Sequence, residues 1–442
     1  MTEHDIIAAP ATAAGGAIAV IRVSGDGAVE CCDRIFRGAC KLTDAAPYTV
    51  HYGAVADGER VVDDVLATVF RAPHSYTGED GVEISVHGSQ YIVSEVLALL
   101  LRNGARMAAA GEFSARAFLA GKMDLSQAEA VADMIAADSR AAHALASTQM
   151  RGGYSAKLGA LRKRLLDIAS LLELELDFSE EDVEFADREE LRRTMNATAA
   201  EIDGLAASFS LGNAIKEGVA VAIAGAPNAG KSTLLNRLLG ENRAMVSDIA
   251  GTTRDTIEER LNIDGVVFRF IDTAGLRDTD DCLEALGIER TRRAIEQARI
   301  VIQLVEPDAD FEPLTVSAEQ RLILVINKID VRRPAIVPDG AVLISAQTGE
   351  GIDGLLSVVR SAVDTHEVYA GSAVVSSSRH REALEAAGAA LSRAVAALDA
   401  DLPADLLCED IREVLHHLGT ITGEITTDEI LGNIFSKFCI GK

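Results

Sequence analysis

Short runs of alternating or β-branched apolar residues occupy the first part of the chain, at Ala17–Val23, Val61–Phe70 and Val82–Val86, separated by turns that contain Gly and Pro. Such runs predict strands, and the stretch from about Ser89 to Arg102 predicts a helix, so about the first 115 residues read as mixed α/β. From about Ala120 to Leu211 the composition shifts to Ala, Leu and Glu, with no glycine between Ala160 and Asp203. Long amphipathic helices follow from that shift, with Leu165, Ile168, Leu172 and Leu176 recurring at helical spacing. At Val219 the pattern switches to buried-strand composition, and strand-like runs alternate with helical ones to about Val363, as βα units of a parallel sheet require. Past Ser377 helical periodicity returns at Leu384, Leu391, Val395 and Leu398, and Pro403 stands where a new helix can begin.

Two helical stretches thus flank an α/β unit, which predicts a multidomain α/β protein whose α/β domain is inserted in one helical bundle. The expected parts are an N-terminal α+β domain over 1–118, a helical domain over 119–216 and 367–442, and the inserted domain over 217–366.

Composition narrows the class. The chain has 442 residues and a formal charge of -26, from 68 acidic against 42 basic side chains. Electrostatics alone repels nucleic acid and anionic membranes, so any RNA site must be local or shared with a partner. The apolar runs fall short of the ~20 residues that a membrane span needs. Six cysteines lack paired spacing, which argues against a zinc site or disulfide framework, and residues 1–5 lead into no signal core. A reducing cytoplasm is the expected compartment, with no membrane partner.

Gly225-Ala-Pro-Asn-Ala-Gly230-Lys231-Ser232 matches the phosphate-binding loop and lies between a predicted strand and a helix beginning near Ser232. Its glycines let N–H groups curl around phosphate oxygens, Lys231 neutralises β/γ charge, and the Ser232 hydroxyl ligates Mg²⁺. The nucleotide set here is Asn228, Ala229, Gly230, Lys231, Ser232 and Thr233. Asp272-Thr273-Ala274-Gly275 follows the predicted strand Val266–Ile271, where an Asp reaches the Mg²⁺ shell and a Gly N–H meets the γ-phosphate. Asn327-Lys328-Ile-Asp330 ends the run Leu322–Ile326. Asp330 there can accept two N–H bonds that guanine offers and adenine does not, and the loop Ser345-Ala346-Gln347 suits the guanine carbonyl. Four elements in this order specify GTP over ATP.

Between them, Ser247-Asp-Ile-Ala-Gly-Thr252-Thr253-Arg-Asp255 offers two adjacent threonines, and spacing leaves open which completes the Mg²⁺ shell. Leu276 stands where small Ras-like GTPases place a water-positioning Gln, so another group must activate water.

The order of elements and the ending Phe438-Cys-Ile-Gly-Lys442 resemble the MnmE (TrmE) family of tRNA-modification GTPases over essentially the full length. Ser75-Tyr-Thr-Gly-Glu-Asp80, Gly111-Glu-Phe-Ser-Ala-Arg-Ala-Phe118, Asp124-Leu-Ser-Gln-Ala-Glu-Ala130 and Asp248–Asp255 carry the resemblance with the tail. It implies an N-terminal domain that dimerises and binds a 5-formyltetrahydrofolate-type folate, a helical domain, and a Ras-like GTPase domain inserted in it. It also implies a homodimer working on tRNA with the FAD- and NADH-using partner MnmG, in a heterotetramer or larger complex. Together they would add an aminomethyl or carboxymethylaminomethyl group to C5 of the wobble uridine. The family match points to Arg22, Glu83, Lys122 and Lys442 for folate, as cations facing glutamate carboxylates and one carboxylate facing the pterin. It implies K⁺-stimulated hydrolysis through GTPase-domain dimerisation, with K⁺ ligands from Asn228, Ser247, Ile249 and Thr252, leaving Thr253 for Mg²⁺. Glu284 matches the family's water-orienting glutamate and joins Lys231 as a catalytic residue.

Departures from the family pattern are Gly-Ser-Gln after His87 and Glu306-Pro307 closing the strand Ile300–Val305. Cys439 reads either as a thiol activated by Lys437 and Lys442, or as part of an apolar plug Phe438–Ile440 that seats the tail. The acidic stretch Asp177–Glu184 reads as a solvated junction. The competing function is a ribosome-assembly or regulatory GTPase switch, which would not need the N-terminal domain paired with this tail.

Overall fold

The computed structural model describes residues 5–177, 187–241, 258–271 and 284–442, without the side chains of 176–177, 241 and 284–290. The chain forms two compact units, residues 1–132 with 419–442, and residues 133–418.

The first unit is built on a seven-stranded sheet. Its order is Phe36–Gly38, Thr49–Asp57, Arg60–Phe70, Gly81–His87, Ile18–Ser24, Ile6–Pro10 and Ala105–Met107. All neighbours are antiparallel except the last pair, which is parallel. Period-two alternation explains the two faces. Ile21, Val23, Val65, Val69, Val82 and Ile84 are buried in one core with Val29 and Ile35 of the helix Ala28–Ile35 and Val96 and Leu100 of the helix Gln90–Arg102. Ile18, Val50, Tyr52 and Leu66 remain exposed.

The C-terminal segment packs in this unit rather than with the helices that precede it. Ile434, Phe435 and Phe438 share a core with Ala115, Leu125 and Ala128, Gly111 N–H donates to the Cys439 carbonyl at 3.4 Å, and Ala110 bridges Ile440. A short helix followed by Phe-Cys-Ile carries no signal of which core it joins, so sequence groups it with its chain neighbours. Only Phe438 of the expected plug is buried; Cys439 and Ile440 are exposed. Phe438→Ala should therefore destabilise the protein by about 3–5 kcal/mol in urea unfolding, the cost of emptying a buried aromatic site. A change below about 1 kcal/mol would mean the tail is not seated by this ring.

In the second unit a six-stranded sheet runs Val342–Leu343, Arg321–Ile326, Ile300–Val305, Val219–Gly225, Val266–Phe270 and Glu259–Ile263. Five strands are parallel, and Glu259–Ile263 is an antiparallel edge that pairs in hairpin fashion with Val266–Phe270. The helices Arg188–Glu217 and Ser378–Asp399, from either side of the α/β segment, pack together, and the segment leading into the second passes so close to the first that a Cβ on Gly212 would lie 2.1 Å from the Val375 carbonyl oxygen. The α/β segment is thus inserted between helices that are partners in space. Ala141, Ala142 and Leu145 of the helix Arg140–Met150 enter the same core as Val221, Phe268 and Ile302 of the sheet. Among the described residues no helix is long and apolar enough to cross a membrane.

Candidate functional site

The strand Val219–Gly225 is buried at nearly every position and feeds a turn that opens the helix Lys231–Glu241. Asn228 (φ 65°) and Gly230 (φ 96°) both sit in the left-handed region, which curls the loop. Gly230 is required for a second reason: a Cβ there would meet Asn327 Nδ2 at 2.3 Å. Asn228 is exposed at the tip, Ala229 is buried, and Ser232 and Thr233 stand in the first turn of the helix. Lys231 Nζ donates to the Gly225 and Ala226 carbonyls at 2.9 and 3.0 Å, and burial lowers its pKa below the ordinary lysine range. An ammonium held by loop carbonyls in partial burial is a charge set aside for an anion.

Asn327 follows the strand Arg321–Ile326, which is separated from Val219–Gly225 by the strand Ile300–Val305, and it is almost fully buried. Its Nδ2 donates to the Ala229 carbonyl at 2.8 Å, and its Oδ1 accepts from Ala346 N–H at 2.9 Å, so one side chain ties the phosphate loop to the loop Ser345–Gln347. Ser345 is fully buried and shapes that loop, its hydroxyl accepting from Thr348 N–H at 3.1 Å and its carbonyl from Gly349 N–H at 2.8 Å. Lys328 takes φ 64° and pairs with Glu306 at 2.5 Å, so the glutamate that departs from the common pattern has a structural partner. Asp330 follows buried Ile329 and is exposed. Lys231, Asn327, Ala346 and their neighbours therefore form one surface at the carboxyl ends of parallel strands, where α/β sheets bind ligands.

Ser247, Ile249, Thr252, Thr253, Asp272, Thr273, Ala274 and Gly275 lie outside the described residues, as does most of Asp177–Glu184. Glu284 begins the helix Glu284–Gln297, its side chain also outside them. Among the described residues no group of three or more His, Cys, Asp or Glu is placed to hold a metal.

A second site lies in the first unit. Arg22 Nε and Nη2 both donate to Glu83 Oε1, at 2.9 and 2.8 Å, and Arg22 Nη1 donates to the Gly441 carbonyl at 3.3 Å. Strand pairing places these two residues directly opposite, which no local signal reveals. Burial lowers the pKa of Lys442, with Arg22 adding to the effect and Glu83 opposing it, so the terminal lysine shares this pocket. Lys122 is exposed and donates to the Pro73 carbonyl at 2.7 Å. It ties down the segment that leads into Ser75, Tyr76 and Thr77. Those three residues line a cavity of about 60 Å³ with Arg22, Ser24 and Glu83.

Sequence reasoning missed the residues that hold this pocket. The Arg22 guanidinium lies over the Tyr76 and Phe113 rings at 5.2 and 5.7 Å. Glu79 accepts from Ser24 at 2.9 Å and from Arg116 at 3.1 Å. Buried Glu112 pairs with Arg106 at 2.5 Å and Arg116 at 3.1 Å. Burial alone would raise its pKa; hydrogen bonds from Arg106, Ala109 N–H and Arg116 outweigh that and hold it below the usual carboxylate range. Tyr76, Glu79, Glu112, Phe113 and Arg116 lie in the segments Ser75–Asp80 and Gly111–Phe118, whose sequence does not reveal their partners.

Comparison with known proteins covers both units. Residues 6–122 match the family described as GTP-binding protein TrmE N-terminus, and residues 125–439 match the MnmE helical domain. A Bacteroides fragilis protein named tRNA modification GTPase MnmE is 49% identical over 464 residues, covering 100% of both chains. A Cytophaga hutchinsonii protein of the same name is 50% identical over 457 residues, covering 100% of this chain and 99% of the other. A Christiangramia forsetii protein, again so named, is 47% identical over 474 residues, with 100% of both covered. Full-length likeness at this level, together with a phosphate loop and base loop joined by one buried asparagine, places the chain in the MnmE (TrmE) family of tRNA modification GTPases.

Proposed function

We propose that this chain binds and hydrolyses GTP to drive modification of the wobble uridine of tRNA at C5, acting as a homodimer with the FAD-dependent partner MnmG in the cytoplasm. The observation that carries the nucleotide part is the Ala229–Asn327–Ala346 link, which fixes a phosphate-binding loop and a purine-binding loop at one spacing. The division of labour follows the segments 1–118 for dimerisation and folate, 217–366 for GTP, and 119–216 with 367–442 for the helical frame.

In the GTPase segment Lys231 leaves the loop carbonyls for the β/γ-phosphates, and the N–H groups from Asn228 to Thr233 face phosphate oxygens. Ser232 and Thr253 are assigned to Mg²⁺, with Asp272 in its outer shell. Asn228, Ser247, Ile249 and Thr252 are assigned to K⁺. The exposed, left-handed Asn228 fits that role because its side chain stands clear of the loop core. Mg²⁺ and K⁺ bound there supply positive charge against that developing on the γ-phosphate. Thr273, Ala274 and Gly275 sense the γ-phosphate, Asn327, Lys328, Asp330, Ser345, Ala346 and Gln347 hold the base, and Glu284 orients the attacking water.

In the N-terminal segment Arg22, Lys442 and Lys122 offer cations to the folate glutamate, and Glu83 offers a carboxylate to the pterin. The charges fit such a ligand, and the Arg22–Glu83 pair lines a cavity that opens toward solvent. Exposed Ile18, Val50, Tyr52 and Leu66 on the open sheet face supply apolar area for a second copy. Cys439, exposed in the tail beside Lys442, is available as a functional thiol.

Steady-state GTP turnover in K⁺ and Na⁺ at matched ionic strength, with protein concentration varied, tests this reading. K⁺-selective stimulation that rises with protein concentration is expected. Equal, slow turnover in both salts would favour a conventional switch that needs an external activator. Glu284→Ala should bind GTP normally yet lose about 10²–10³ in kcat, the usual weight of a positioned acid–base group. Unchanged kcat under saturating K⁺ would remove Glu284 from the mechanism.

A further inference from the structure

The helix Lys231–Glu241, which starts at the phosphate loop, carries Arg237 on the side that meets the base loop. Its Nε donates to the Ala346 carbonyl at 3.2 Å, and its Nη2 donates to the Gln347 carbonyl. Ala346 is also the residue whose N–H donates to Asn327 Oδ1, and Asn327 reaches back to Ala229. The bonds therefore close a ring from phosphate loop to Asn327, to base loop, to Arg237, to the helix and back to the phosphate loop.

A planar guanidinium that grips two successive carbonyls fixes two successive peptide planes. In a trans peptide the N–H points opposite to the carbonyl, so Gln347 N–H, in the plane of the Ala346 carbonyl, is aimed away from the helix. Gln347 is exposed, and its carbonyl is held by Arg237. A lysine ammonium, a point donor on a flexible stem, cannot fix both planes at once.

We infer that Arg237 is a positioning residue for guanine selectivity, holding the segment Ser345–Gln347 in the orientation that receives the carbonyl of a guanine and excludes the amino group of an adenine. This rests on the reading above that the segment faces the nucleotide base. The guanidinium bonds to the carbonyls of Ala346 and Gln347, so its effect falls on base recognition and on how long the nucleotide stays bound.

The test uses the full chain as wild type, Arg237→Gln and Arg237→Lys. Dissociation of a fluorescent GDP, competition by GDP and by ADP, thermal melting, and the KM and kcat of GTP turnover are measured together. For Arg237→Gln the expected results are GDP dissociation about tenfold faster and a GDP-to-ADP affinity ratio lower by the same factor, the size of losing a charged hydrogen-bond pair. KM for GTP should rise about tenfold while kcat changes less than about twofold, with Arg237→Lys in between. A wild-type GDP-to-ADP ratio in Arg237→Gln would overturn the inference. So would equal losses for GDP and ADP with a lowered melting temperature, the signature of a merely structural role. If the wild-type chain itself fails to prefer GDP over ADP, the guanine reading falls and takes this inference with it.

Discussion

Replacing Asp330 by Asn is expected to weaken GDP binding by about two orders of magnitude and to strengthen XDP binding, because the amide turns a donor toward guanine's 2-amino group and leaves that group without an acceptor. A carboxylate only accepts, and guanine presents its N1–H and 2-amino group as donors on that edge. Xanthine carries a carbonyl in place of the amino group, and the amide of Asn offers it a donor. The backbone around Asp330 is set independently of its side chain: Lys328 holds the left-handed turn, and Ile329 N–H donates to the Ile344 carbonyl at 3.3 Å while its side chain is buried. The substitution should therefore leave the fold intact, and XTP should be hydrolysed by the untouched phosphate machinery. Equilibrium competition among GDP, XDP and ADP checks this. Undiminished GDP preference would remove Asp330 from base recognition.

Lys231→Ala should reduce GTP turnover by about 10³-fold or more, since a preorganised cation aimed at the transferring phosphate carries several kcal/mol of transition-state stabilisation. In the described loop the ammonium satisfies the Gly225 and Ala226 carbonyls, and burial disfavours its charge. Both features make an arriving phosphate the better partner, so nucleotide affinity should fall along with turnover. Alanine leaves two carbonyls at the rim that water can solvate, and the helix Lys231–Glu241 keeps its buried Leu234, Leu235 and Leu238. The melting temperature should thus shift little. Single-turnover hydrolysis within about tenfold of wild type would show that phosphate is held by the backbone alone.

The backbone of the phosphate loop and of the loop Ser345–Gln347 was legible because local chemistry dictates it. A left-handed glycine before Lys231 and a buried Asn after a buried strand are demands of the backbone, and they appear in sequence wherever the geometry does. The strands Val219–Gly225 and Ile300–Val305 were legible for the same reason, as short apolar runs, the second broken only by Gln303. What escaped was set by distant partners. Arg237 looks like one more solvated helix cation until the base loop folds onto it. Glu112 gives no hint that two arginines from different elements enclose it. The edge strand Glu259–Ile263 alternates too briefly to stand out and is made by its hairpin partner. The tail could not announce that it packs beside Gly111, where φ is +66° and a Cβ would lie 2.5 Å from the Phe435 carbonyl oxygen.

The central claim is that GTP hydrolysis by this chain drives tRNA modification, and nucleoside mass spectrometry tests it most directly. Purified protein, the FAD-dependent partner, a folate one-carbon donor and unmodified tRNA would be incubated with GTP or a non-hydrolysable analogue in K⁺, and the wobble nucleoside identified. Aminomethyl or carboxymethylaminomethyl uridine that forms with GTP, and fails with the analogue or with Lys231→Ala, is the predicted result. Modification that proceeds equally without hydrolysis, or brisk GTP turnover that leaves the wobble uridine unchanged, would contradict the account.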